Sequence, residues 1–158
     1  MKNLLYLVLP VIFILSCDNE LSKNQLLEAK IDGQIYSFNG SAVRYTNYVN
    51  SIKTAYDYQV FNHDRHSFLI DAYDESFTKV VFPFPAFSAQ YIVQLEGGQS
   101  KTYQAVSGQF RILGQGNGNL RGDFSFKAKN ILNSSDSVMV TEGYFDIWLE
   151  SSDRTFPK

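Results

Sequence analysis

From residue 27 onward, apolar and polar positions alternate instead of recurring at helical spacing, which is the signature of half-buried strands. "LLEAKIDGQIYSF" runs through Ala29 and Ile31, breaks at Asp32-Gly33 and resumes through Ile35 and Phe38. Asp-Gly between two strand-like runs predicts a hairpin, because glycine accepts positive φ without steric cost. "SAVRYTNYV" reads as the next strand, and "TAYDYQVF" sets Ala55, Asp57 and Gln59 against Tyr56, Tyr58 and Val60. Polar breaks "NHDRH" and "DESFTK" precede "SFLIDAY" and "VVFPFPAF". Pro83 and Pro85 remove ladder donors, so that segment is expected as an edge strand or a loop across a sheet end.

"QYIVQLE" closes at Gly97-Gly98. "KTYQAVSGQFRILGQ" gives two arms about Gly108, expected as a bulge or tight turn. After the turn "GQGNGN", "LRGDFSFKAK" places Phe124, Phe126 and Ala128 on one face, and "NILNSSDS" reads as a loop. The last segment, "VMVTEGYFDIWLE", is either a hairpin at Glu142-Gly143 or one long strand bulged at Gly143. Both put Val138, Val140, Phe145, Ile147 and Leu149 on one face. Glutamate is poor at the positive φ of a type I′ turn, and type II′ wants glycine first, so the bulged strand is expected. No window beyond the N-terminal leader gives a convincing helix, although "NELSKNQLLEAK" allows one short turn. About nine or ten short strands at even spacing predict an all-β fold, an antiparallel β-sandwich or barrel.

The N-terminus breaks this pattern. "MKNLLYLVLPVIFILSC" has Lys2, then an apolar run from Leu4 to Leu15, then the small Ser16. Charge, apolar run and small residue in that order form a secretory signal peptide. The run has 12 residues and contains Pro10, whereas a membrane-spanning helix needs about 20. Cys17 is the only cysteine and sits at the expected cleavage point, so no internal disulfide staples the exported domain. "ILSC" resembles a bacterial lipobox, with Ile14 where that pattern has leucine. The resemblance implies a Cys17 thiol carrying diacylglycerol and an acylated (palmitate-type) amine. One acyl chain anchors only marginally, and stable anchoring takes a second. The expected organisation is a signal peptide over 1–16, a lipidated cysteine and polar tether over 17–26, and one β domain over 27–158.

Composition narrows the function classes. Without Lys2, 13 basic side chains face 16 acidic ones, interspersed and without a basic run. Nucleic acid is therefore not an expected partner. Ten tyrosines and thirteen phenylalanines favour sheet surfaces over helices.

"LRGDFSFKA" followed by "VMVTEGYFDIWL" resembles Gly-x-Phe-x-Phe, a loop, then Val-Thr-x-Gly-x-Phe-Asp. That pattern is similar to one in small Bacteroidota lipoproteins of unknown function, and "AKIDGQIYSF" also looks like theirs. Gly122, Phe124, Phe126, Thr141, Gly143, Phe145 and Asp146 are the matching positions, read as architecture. The resemblance implies an all-β domain on a lipid anchor and brings no catalytic residues with it. With Asp18 directly after the cysteine, it favours the outer membrane, at its periplasmic face or the cell surface.

No motif specifies chemistry. His63 and His66 in "HDRH" fall in a polar break, where imidazoles three apart do not converge as they would on a helix, and no third histidine exists; a solvated tip is expected and no metal. Asp71, Asp74 and Glu75 lack calcium-loop spacing. "GQGNGN" has no following helix or Lys-Ser/Thr, so it is not a phosphate loop. "RGD" at 121–123 enters a strand. There is no Gly-x-Ser-x-Gly elbow, and the sixteen acids offer carboxylate pairs only once geometry is known. Catalytic residues and cofactors are accordingly expected to be none. "DSV" at 136–138 resembles the O-glycosylation site of Bacteroidota exported proteins, which makes Ser137 a candidate acceptor. Tyr45, Tyr48, Tyr56, Tyr58 and Trp148 are the candidate ligand surface, since tyrosine offers a flat apolar face with a polar tip.

The expectation is a non-enzymatic, lipid-anchored envelope domain that binds an unknown ligand or envelope protein. The alternatives are a structural or assembly component docking another envelope protein, and a carboxylate-based hydrolase.

Overall fold

The computed structural model describes residues 25–156. Cys17, the leader and the chain up to residue 24 lie outside the described residues. The domain is all-β: β1 (Gln25–Ile31), β2 (Gln34–Asn39), β3 (Ser41–Val49), β4 (Ile52–Phe61), β5 (His66–Asp74), β6 (Val81–Pro83), β7 (Phe87–Gln94), β8 (Ser100–Gly116), β9 (Asn119–Asn130) and β10 (Ser137–Phe156). Among the described residues a single 3-10 turn spans Glu96–Gly98.

Strand pairing closes a ring. β3 pairs with β4, β4 with β5, β5 with β7, β7 with β8, β8 with β9 and β9 with β10, all antiparallel. β10 then returns to β3 in parallel, Leu149 opposite Ala42 through Phe156 opposite Val49. Of the two architectures expected, the ring makes this a barrel, in which, among the described residues, the ring strands have no free edge and only the outlying β2 and β6 keep one. β10 serves three neighbours. β9 lies along one side as far as Trp148, while the other side takes first β1 and then β3. β2 hangs outside β1, and β6 edges β8, as its proline, Pro83, requires. The ring and its core are complete within residues 25–156, so a chain starting at residue 18 carries everything the fold needs.

The interior is solid. Phe68, Phe82, Phe110, Phe124, Phe126 and Phe145 are each under 2% exposed or at that limit. Their rings interlock, Phe110 on Phe145 with centroids 5.3 Å apart and Phe68 on Phe124 at 5.8 Å, within the range that adds ring–ring attraction to burial. The expected inward face of the last strand is buried throughout, from Val138 to Leu149.

Two strands are longer than the short strands expected, β8 with 17 residues and β10 with 20. Bulges bend them without breaking them. At Glu142-Gly143 the pairing with β9 slips between Val140 and Gly143, so the bulged strand is what forms. The positive φ falls on Glu142, at 49°, not on the glycine. Gly143 answers a different need: a Cβ there would meet the Phe124 ring at 2.5 Å and its carbonyl oxygen at 2.6 Å. In β8 the slip lies between Ala105 and Ser107, next to Gly108. Asp32-Gly33 forms the expected two-residue turn, with φ of 48° and 86°. The helical turn allowed in "NELSKNQLLEAK" does not form over its described part. Gln25–Ile31 is a strand instead, because Leu27 and Ala29 are buried between β2 and β10.

Candidate functional site

The β1–β2 hairpin lies over one end of the barrel, where Tyr36 meets His66 with centroids 4.7 Å apart and Phe38 meets Phe68 at 5.6 Å. His66 Nδ1 is 2.5 Å from the Tyr91 hydroxyl. Burial holds the His66 imidazole below its usual pKa, with the Arg65 charge adding to the effect. His63 instead packs on Phe61, so the two imidazoles of "HDRH" have separate partners. Tyr103 donates to Asp136, which also accepts from Lys101 and Asn130. This end is a tied network.

The opposite end, the far end, holds two of the five predicted aromatic residues. Residues facing each other across paired strands share a face, and Arg44 lies opposite Tyr58 while Thr46 lies opposite Tyr56. Tyr56 and Tyr58 stand 6.0 Å apart, and Phe77 meets Tyr56 edge-on at 5.2 Å. Two cations converge on these rings, and a third lies over the neighbouring Phe82. Lys53 Nζ lies 4.0 Å from the Tyr56 ring and 4.2 Å from Phe77, Arg44 lies 4.8 Å from Tyr56 on its other contact, and Lys79 Nζ is 5.3 Å from Phe82. At an exposed cation such as Lys53 a contact of this kind stabilises by about 0.5–1 kcal/mol. Burial raises the Tyr58 hydroxyl pKa, with Arg44 opposing the shift. Asp74 is the carboxylate turned inward here, and it is committed to the loop after β5. It accepts from the Ser76 amide and hydroxyl and from the Lys79 amide. Thus Asp71, Asp74 and Glu75 form no cluster: Asp71 faces outward and Asp74 ties its own loop. A recess of about 200 Å³ opens between that loop and β8, lined by Tyr58, Phe77, Thr78, Lys79, Leu113 and Gln115 among others.

The other predicted aromatics lie elsewhere. Tyr45 faces outward opposite Asp57, under the Arg154 guanidinium 3.1 Å from its ring centroid. Tyr48 sits near the end of β3, opposite Lys53. Trp148 lies over Gly118 and borders a separate recess with Gln25 and Gly40. Sequence reasoning therefore found the pair Tyr56–Tyr58 and missed Phe77, Arg44, Lys53 and Lys79. Phe77 has a signal in retrospect, an aromatic residue inside a polar break. Ser137 opens β10 opposite Lys129 instead of lying within the loop, and it is exposed.

The outer face carries a second arrangement. Arg154 Nη1 donates to Asp57 Oδ2 at 2.9 Å. Asp57 and Asp71 share the outward face of β4 and β5 and both line a recess of about 210 Å³ beside Pro85 and Phe87. Burial raises the Asp57 pKa against the pull of Arg154. Burial also raises Asp71, and the Asp57 charge adds to that. The two carboxylates share one cation: Arg154 hydrogen-bonds Asp57 and acts on Asp71 only through its charge. A larger groove, about 420 Å³, lies near the start of β5 between Phe61, Leu69 and Ile92. Among the described residues no three histidine, cysteine or carboxylate side chains converge on a metal position. Comparison with protein-family models, curated proteins and solved structures finds no match.

Proposed function

We propose that this chain is a lipid-anchored domain of the cell envelope, held by Cys17 at the outer membrane, which binds a ligand at the far end of its barrel without transforming it. One observation carries the reading. The interior is packed with phenylalanine, while the far end sets Tyr58, Phe77 and Lys79 on a recess, with Lys53 and Arg44 over the Tyr56 ring beside them. Binding sites are concave and mostly apolar, with a few placed polar groups, and this end has that character. Mass spectrometry of the mature N-terminus tests the anchor: a triacylated Cys17 is expected, and an unmodified cysteine or cleavage elsewhere overturns it. A glycan and lipid screen on residues 18–158 tests the binding, with a hit weakened by Tyr56→Ala as the expected result. Silence in that screen together with capture of a specific envelope protein would favour the docking alternative.

The outer face supports a second reading, a carboxylate-based hydrolase. Its observation is the pair Asp57 and Asp71 in one recess, both with raised pKa. Turnover of a glycoside panel, abolished by either Asp→Asn change, is what this reading requires.

A further inference from the structure

The recess at the far end is chemically lopsided. Its cationic side is Lys79 on its wall, with Lys53 and Arg44 behind it around Tyr56 and Tyr58. Arg44 Nε is buried without a hydrogen-bond partner among the described residues. Asp74, whose charge also reaches Tyr58 on the recess wall, does not line the recess and accepts from three donors of its own loop. Glu75 on that loop does not line the recess. Nearby, Arg111 and Asp123 neutralise each other as a pair.

The apolar side is equally distinct. Val80 is 54% exposed, Val81 44% and Leu113 59%. The Ile112 amide donates to the Val80 carbonyl at 2.8 Å, which holds the two segments side by side. Leu113 is the extra residue of a bulge, between Ile112 opposite Gly122 and Gly114 opposite Arg121. Bulges re-aim a side chain, and this one leaves a leucine exposed at the lip of a cationic recess. At about 200 Å³ the recess is smaller than the roughly 300 Å³ at which sites for whole small molecules begin. It suits a head group, with the rest of the ligand lying over the lip.

We infer that this recess binds an anionic amphiphile: a carboxylate or phosphate head at Lys79 and Thr78, within the positive field of Lys53 and Arg44, and an aliphatic chain along Val80 and Leu113. A free amphiphile and a bilayer lipid present the same chemistry. The inference rests on the ligand-binding reading above and assigns its ligand class.

The test uses residues 18–158 with decanoate and decyl phosphate as free monomers, decanol as the uncharged control, and vesicles with and without phosphatidylglycerol. Calorimetry and amide chemical shifts give the readout. The expected result is binding of both anions and not of decanol, with shifts confined to residues 77–80 and 112–115. Lys79→Gln is expected to weaken it at least tenfold, Leu113→Ser to weaken it as well, and Lys127→Gln on exposed β9 to leave it unchanged. Monomer binding assigns a diffusible ligand, and binding to the anionic vesicles alone assigns a membrane surface. Equal binding of decanol, indifference to Lys79→Gln, or shifts centred on Phe61, Leu69 and Ile92 overturns the inference. If a glycan binds at Tyr56 while both anions fail, the ligand-binding reading survives and this assignment falls. If nothing binds, both fall.

Discussion

At the scale of single residues, Gly143 and Asp71 make the sharpest demands. A methyl group at Gly143 would press on the ring and the carbonyl of Phe124, and a strand carbonyl cannot rotate away. Gly143→Ala is therefore expected to destabilise by about 1–3 kcal/mol or more, as overpacking does, read from the denaturation midpoint. Asp71 carries a pH signature. Its pKa is raised in the folded protein, so the fold favours the protonated form. Across the window just above the ordinary value of 3.8, the folded state holds more protons than the unfolded one. Stability falls as pH rises through that window. Asp71→Asn is expected to raise the melting temperature at pH 7 and to give no gain at pH 3; a gain that persists unchanged at pH 3 would refute the electrostatic cause. Phe124→Ala, with its ring 2% exposed, should cost about 3–5 kcal/mol.

At the scale of elements, the hairpin and the bulges decide how much could be read in advance. Asp32 does more than turn the chain: Met139 N donates to its carboxylate at 2.9 Å, and its own amide donates to the Met139 carbonyl. Asp32→Ala removes one docking bond and a side chain suited to positive φ, a loss of about 1 kcal/mol that should show as faster amide exchange over β1 and β2. Strands were legible because alternation is local. Asp32-Gly33 and the inward row from Val138 to Leu149 follow from neighbours in sequence. The continuity of β8 was not legible, because the slip near Gly108 is decided by its register with β9. The site divides in the same way. Tyr56 and Tyr58 share a face by simple parity, but Arg44 reaches them through the register of β3 with β4, and Lys79 comes over the neighbouring Phe82 from the loop after β5. The pair Asp57–Asp71 depends likewise on the register of β4 with β5.

At the scale of the molecule, closure is the decisive property, and nothing in the sequence announces it. β3 and β10 pair across about a hundred residues of chain, in parallel, and neither strand carries a local mark of the other. Deleting residues 150–156 removes nearly all of that seam while leaving the buried phenylalanines in place. The truncated chain is expected to lose cooperative unfolding and near-ultraviolet circular dichroism together. Retention of a sharp transition would mean that the ring is dispensable.

The same seam sets a timetable. Under the proposal that this chain is exported, threading from its N-terminus would deliver β3 early and its closing strand last. Until the final residues emerge, β3 faces water without the partner that completes the wall, and the early strands have no finished core to pack on. Non-local pairing of this kind also folds slowly, because loop-closure entropy must be met before the contacts form. For a chain exported as proposed above, late closure would keep the polypeptide threadable while it is in transit.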